Sequence, residues 1–159
     1  MHKVVSCATA GSVGDLGRIA RRLADEGIDI RFIGGGEGAL PSGSAGIVSM
    51  IVSPDEDEQK IIDILTDLEL GGGRRLASVR LFSALDLELD DEPGELAAAA
   101  ATLGEADINI MSVISIESRA RRAIVNLAFE DESARDRARD VLKADGFAVM
   151  DTHIRGHSD

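Results

Sequence analysis

The sequence predicts an α+β protein made of two βαββαβ units, each a four-stranded antiparallel sheet with two helices on one face. Three observations carry that prediction. The chain aligns with itself, each half alternates strand-like and helix-like periodicities in the same order, and the length allows two small domains. With 159 residues, 44% hydrophobic and 29% charged, the composition is that of a globular chain able to build a core.

Residues 13–30, VGDLGRIARRLADEGIDI, align without a gap on 93–110, PGELAAAAATLGEADINI, at a constant offset of 80. Gly14, Leu16 and Ala20 fall on Gly94, Leu96 and Ala100, and Leu23, Ile28 and Ile30 fall on Leu103, Ile108 and Ile110. Further on, GIVSMIV (46–52) meets AIVNLAF (123–129) at an offset of 77, with DIL (63–65) on DVL (140–142) at the same spacing. The domains expected are 1–79 and 80–159.

The first unit opens with the strand KVVSCAT. A helix follows from Gly14 to about Glu26, with Gly27 as its left-handed cap, then the strands IDIRFI and GIVSMIV. The segment IRFIGGGEGALPSG between them reads as a long mobile hairpin loop. Ser53 is expected as the N-cap of the second helix, with Pro54 in its first turn and Glu56 completing a capping box. Gly71-Gly72-Gly73 reads as a flexible turn. The last strand of this unit and the first of the next share RRLASVRLFSALDLELD, which holds no proline or glycine, and the break is expected near Arg80–Ser83.

In the second unit Leu85, Leu87 and Leu89 alternate with Asp86, Glu88 and Asp90, as in a strand with one buried face. Pro93 is expected in the first helical turn, where its missing N–H costs nothing, and Leu96, Ala100 and Leu103 form one helical stripe. INIMSVISI and AIVNLAF make a hairpin. A second helix carries Ala134, Ala138, Val141 and Leu142 and stops at Gly146, before the strand FAVMDTHI. The order βαββαβ has one strong solution, the split βαβ or ferredoxin-like sandwich. Units of this size bury modest cores and leave an open sheet face or edge, so a homodimer or higher homo-oligomer is expected.

Charge narrows the function. A net charge of −12 and a pI near 4.6 oppose sequence-independent binding to nucleic acid or to an anionic membrane. Only three of the basic residues are lysines: Lys3, Lys60 and Lys143. Such a balance suits a halophilic cytoplasm, although a GC-rich genome would also replace lysine by arginine. No apolar run reaches the roughly 18 residues of a membrane span and the N-terminus lacks a signal-peptide pattern, so a cytoplasmic location is expected. Cys7 has no disulfide partner and reads as an inert buried thiol.

The segment LELDDEPGELAAAAATLGEADINIMSV resembles the ACT domain, the small ligand-sensing module of amino-acid metabolism. That family's pattern is similar: a strand ending in an acidic residue or Asn, then x-Pro-Gly-x-Leu, a helix, and a Gly-(Ile/Val)-Asn-Ile strand entry. This segment departs from it at Ala106-Asp107, where glycine is usual. The first unit matches less closely, with Val13 for the proline and Asp29 for the asparagine. The resemblance implies a tandem ACT protein, non-catalytic, that binds a small amino acid where ACT units meet and passes that state to another protein. It implies a ligand-binding set of Asp91, Gly94, Glu95 and Asn109, with Gly11, Gly14, Asp15 and Asp29 as counterparts. Physical chemistry supports these roles: a helix start opened by glycine presents backbone N–H groups to a carboxylate, Asp91 suits an ammonium, and the Asn109 amide donates and accepts. Gly11 has no side chain to hold an ammonium. Selectivity would come from walls such as Met111 and Val113. Turn chemistry alone also accounts for Pro93-Gly94 and Asn109.

Other signals fail. Gly34-x-Gly36-x-x-Ala39 superficially suggests a dinucleotide fingerprint, but a strand follows where that motif needs a helix. Gly71-Gly72-Gly73 lacks the Lys-Ser/Thr of a P-loop. His2, His153 and His157 show no zinc spacing, no nucleophile is paired with a base, and no cofactor or metal is expected. Two alternatives remain. One is a regulatory subunit of an amino-acid biosynthetic enzyme such as acetohydroxyacid synthase, which would be its metabolic enzyme partner. The other is a structural dimerisation module without ligand.

Overall fold

A computed structural model describes residues 3–40, 43–52, 57–119 and 121–150. The chain is α+β, with four helices among antiparallel strands in the described residues, and divides into two compact units: Lys3–Leu81, and a second that begins at Phe82.

The first unit runs β1 (Lys3–Thr9), α1 (Asp15–Asp25), β2 (Ile30–Leu40), β3 (Gly43–Val52), α2 (Glu58–Thr66) and the opening residues of β4 (Ser78–Asp90). Its strands lie in the order β2-β3-β1-β4, and the Ala77 N–H donates to the Ala8 carbonyl at 2.8 Å where β4 approaches β1. Val5 and Cys7 of β1 and Met50 and Val52 of β3 share one core with Ile19 and Leu23 of α1 and Ile61, Ile64 and Leu65 of α2. Each such side chain, fully buried, contributes on the order of 2 kcal/mol of hydrophobic free energy.

The second unit continues β4, then α3 (Glu95–Glu105), β5 (Ser112–Arg119), β6 (Arg122–Phe129), α4 (Glu132–Ala144) and β7 (Ala148–Met150). β4 lies between β7 and β6, with β5 beyond β6. Leu85, Leu87 and Leu89 of β4 and Val125, Leu127 and Phe129 of β6 pack with Ala99 and Leu103 of α3 and Ala138 and Leu142 of α4. In each unit the first strand thus lies between the third and the fourth.

Three of the helices stop in the same way. The residue two beyond the helix cap donates its N–H back to the third-last helical carbonyl: Ile28 to Leu23 at 2.9 Å, Ile108 to Leu103 at 2.9 Å, Phe147 to Leu142 at 3.0 Å. This Schellman arrangement needs a left-handed residue in between, supplied by Gly27 (φ 76°), Asp107 (φ 55°) and Gly146 (φ 91°). Each apolar residue then turns back into the core beside the leucine it caps.

Several details differ from the expectations. The glycine-rich segment is strand, not a mobile loop: β2 pairs β3 from Gly34↔Ser49 to Leu40↔Gly43. Its glycines permit close backbone approach, since a Cβ on Gly35 would lie 2.7 Å from the Ile47 carbonyl oxygen. Helix α2 is capped by Asp57, whose carboxylate accepts from the Gln59 and Lys60 N–H groups; Ser53, Pro54 and Glu56 lie outside the described residues. Pro93 precedes the helix, because Gly94 (φ 107°) is the N-cap of α3. Leu96 is exposed, and the buried stripe is Ala99 and Leu103. Asp86 does not face solvent: it is buried with Asn126 opposite it. The strand β5 starts at Ser112, so Asn109 lies in the connection before it. The three histidines and the part of FAVMDTHI beyond Met150 fall outside the described residues.

Candidate functional site

The two helix-start corners have the same backbone plan. Gly14 (φ 90°) and Gly94 (φ 107°) occupy the N-caps of α1 and α3, and neither helix receives a side-chain cap at that position. Glycine is needed there because an L side chain rarely adopts these angles. What surrounds each corner differs.

In the first unit, the Gly11 N–H donates to Thr9 Oγ1 at 2.9 Å, tying the end of β1 to the loop. Asp15, the first residue of α1, accepts the Ser12 N–H on Oδ2 at 3.2 Å. A carboxylate in a first helical turn also complements the helix dipole. Asp15 is only 4% exposed, and its other oxygen, Oδ1, is buried with no hydrogen-bond donor. Oδ1 lies 3.8 Å from the Arg74 guanidinium, an ion pair too long for a hydrogen bond. The turn at Gly71–Gly73 sets Arg74 there: Gly72 and Gly73 have φ of 76° and 72°, and Arg74 Nε donates to the Gly71 carbonyl at 2.8 Å.

Above Asp15 opens a pocket of about 310 Å³. It is lined by Thr9, Ser12 and Asp15, by Leu16, Ile33 and Val48, and by the glycine backbone of β2 and β3. Missing side chains create this space. Gly46 pairs with Thr9 and Gly35 with Val48. At Gly46 a Cβ would come within 2.7 Å of Thr9 Oγ1.

The second corner is filled and tied down. The residues in the corresponding register are Leu89 opposite Ala123, and Ser115 opposite Val125. Leu89 is buried in the core where the first unit has a threonine. The Asp91 N–H donates to the Arg121 carbonyl at 2.8 Å, and Asp91 Oδ2 accepts from Ser118 Oγ at 3.3 Å. Arg122 pairs with Glu88 and, at 3.5 Å, with Asp90. Asp91 and Gly94 are exposed and Glu95 half-buried.

Asn109 and Asp29 are not at these corners. Each follows an 11-residue helix whose start carries the glycine, which puts it about 16 Å away at the opposite end. Within one unit, Pro93-Gly94 and Asn109 therefore do not face one another. Asn109 Nδ2 donates to Met111 Sδ at 3.1 Å, and Asp29 pairs with Arg31 at 2.9 Å. Val113 is exposed, and neither it nor Met111 lines the first-unit pocket.

Asp91, Gly94 and Glu95 thus share one corner, and Gly11, Gly14 and Asp15 the other. Thr9, Ile33, Val48 and Arg74 join this corner without a sequence motif that marks them. The signal available was the glycine run 34–36 inside an otherwise strand-like segment, which marks close backbone approach.

Cys7 is fully buried and burial pushes its thiol up to about 12, far from a reactive thiolate. Among the described residues no group of three or more His, Cys, Asp or Glu could hold a metal ion. No helix of the described residues is long and apolar enough to cross a membrane.

No protein-family profile matches the chain, and no curated protein matches it. Solved structures resemble it over nearly its whole length. A protein of Bacteroides thetaiotaomicron superposes with a TM-score of 0.64 at 22% identity, covering 93% of this chain and 90% of that one. Aspartokinase alpha and beta subunits give a TM-score of 0.63 at 20% identity, covering 90% of each chain. The ligand-free regulatory subunit of aspartate kinase from Thermus thermophilus gives 0.59 at 16% identity, covering 90% of this chain and 91% of that one. At these identities the likeness is one of fold. The chain has the fold of the regulatory subunits of aspartate kinase.

Proposed function

We propose that the chain is a non-catalytic regulatory protein, a tandem pair of ferredoxin-like ACT units, that binds a small amino acid. The observation that carries this reading is Asp15: a carboxylate at the base of a pocket, nine-tenths buried, with one oxygen lacking a hydrogen-bond donor. Asp15 is the charged group of the lining, and a carboxylate there suits a ligand ammonium. The Thr9 and Ser12 hydroxyls beside it can donate to the ligand carboxylate. Gly11, Gly14 and Asp15 then belong to the principal site. Asp91, Gly94 and Glu95 form a second, weaker corner, to which a second copy of the chain would supply Asn109. Asp29 would play the same role for the first corner.

Thermal unfolding of the purified protein in high salt, against the twenty amino acids at millimolar concentration, tests this. A ligand at a hundred times its dissociation constant adds about 2.7 kcal/mol, a clear rise in midpoint. One amino acid or one related group raises the midpoint, and Asp15→Asn removes the rise. A panel with no response, or a response indifferent to Asp15→Asn, contradicts the reading and leaves the corners as scaffold for a dimer.

A regulatory subunit of a biosynthetic enzyme is the second reading, favoured by the likeness to aspartate kinase regulatory subunits. It predicts that a metabolic enzyme co-elutes with this chain from the native cytoplasm in an amino-acid-dependent way. Elution as a homo-oligomer alone, with and without amino acids, opposes it.

A further inference from the structure

The first-unit pocket also restricts the side chain of what enters it. Resting on the proposal that it binds an amino acid, we infer that the ligand is an uncharged aliphatic one, of the size and shape of leucine or isoleucine. The polar groups of the pocket are gathered at one end: Asp15, Ser12 and the Thr9 hydroxyl. Among the described side chains Asp15 is the only charged one of the lining. Away from it the walls are the side chains of Leu16, Ile33 and Val48 and the bare backbone of Gly35 and Gly46.

Register separates the side chains that face the pocket from those that do not. Val48 lies opposite Cys7 and Gly35, and Ile33 opposite Met50. Cys7 and Met50 belong to the core beneath α1, and Val48 packs against that core. Side chains of one pleat face alternate with those of the other, so Ile33, Gly35, Gly46 and Val48 share the α1 side of the sheet with Asp15 and Leu16. Leu16 and Ile33 are 51% and 47% exposed, high for large apolar side chains. An aliphatic ligand side chain laid between them would cover both.

The same lining disfavours the other classes. A second ammonium at the far end of a ligand such as lysine would meet only apolar walls among the described side chains, and an apolar wall gives a charge no partner. An acidic side chain would find no cation among the described lining residues, which do not include Arg74. Threonine would bury a hydroxyl against aliphatic carbon without a partner. Specificity therefore rests on one carboxylate for the ammonium and an aliphatic slot for the side chain.

Leu16 allows a direct test, because it is half-exposed in the first turn of α1, where an acid suits the helix dipole and the fold does not need the leucine. Thermal midpoints of the full chain, wild type, Asp15→Asn and Leu16→Glu, are measured with leucine, isoleucine, valine, threonine, lysine and aspartate. The expected result is at least a tenfold lower dissociation constant for the aliphatic ligands in the wild type. Asp15→Asn abolishes all shifts, and Leu16→Glu weakens leucine at least tenfold while lysine begins to bind. If lysine, threonine or aspartate binds the wild type as well as leucine and still depends on Asp15, the aliphatic assignment fails while the amino-acid site stands. If nothing binds, or binding ignores Asp15→Asn, the site itself fails and the assignment with it.

Discussion

Asn126 Nδ2 donates a 2.6 Å hydrogen bond to Asp86 Oδ1, directly across the β4–β6 register, with both side chains buried. Ser49 Oγ and Ser6 Oγ, at the corresponding register positions of β3 and β1, are joined at 3.2 Å. A side-chain link between the first and third strands thus occurs in both units, with an ionisable member only in the second.

That member makes stability depend on pH. Burial raises the Asp86 carboxyl above its ordinary value, more than the Asn126 hydrogen bond lowers it. Between the ordinary and the raised value the folded state holds a proton that the unfolded state has lost. Stability therefore falls as pH rises through that window, and the loss is complete above it. Asp86→Asn keeps an acceptor for Asn126 Nδ2 and offers a donor to Asn126 Oδ1, which is buried without a partner. Urea unfolding should show Asp86→Asn more stable at neutral pH, with a flatter profile above the ordinary carboxylate range. A variant less stable than wild type at pH 7 refutes this.

Asp107 is the one left-handed helix stop of the three that is not glycine. A non-glycine residue there costs about 1 kcal/mol, less for Asp than for most. Asp107→Gly should raise the thermal midpoint by about 2–4 °C for a chain of this size. The reciprocal changes, Gly27→Asp and Gly146→Asp, should lower it.

Filling the pocket should separate binding from stability. Thr9→Leu copies the residue that fills the other corner, at the loss of one hydrogen bond from Gly11. Titration calorimetry should show ligand binding gone while the unfolding midpoint moves by no more than a few degrees. Gly46→Ala should instead destabilise, since its Cβ displaces Thr9 Oγ1.

Cys7 should report opening of the first unit. Fully buried, and with its thiol pushed up to about 12, it offers no thiolate while folded. Labelling by a thiol reagent at pH 8 should follow the unfolding free energy as urea is added. Rapid labelling in native buffer contradicts the burial.

The element order was legible because each unit states it in unambiguous periods: Leu85, Leu87 and Leu89 for a strand, Ala138 and Leu142 with Gly146 for a helix and its stop. The glycine run 34–36 reads as loop in the sequence because glycine weakens local strand signals, and only the pairing with β3 reveals the close approach that requires it. Asp86 appeared solvent-facing because alternation shows which residues share a face, not what covers that face. The recognisable motif and the pocket lie in different units. The Pro93-Gly94 corner carries the recognisable string, but a pocket depends on side-chain volume, and Leu89 against Thr9 is one substitution within a strand pattern. Arg74 reaches Asp15 only through a three-glycine turn, a path that no local spacing encodes.

The central claim is that ligand enters the first-unit corner. Backbone amide chemical shifts, followed by NMR as leucine is added, locate the site residue by residue. The account predicts perturbations clustered at Thr9, Gly11, Asp15, Ile33 to Gly36 and Gly46 to Val48, absent in Asp15→Asn. Perturbations confined to Asp91, Gly94, Glu95 and Asn109, or no change at saturating leucine, would contradict it.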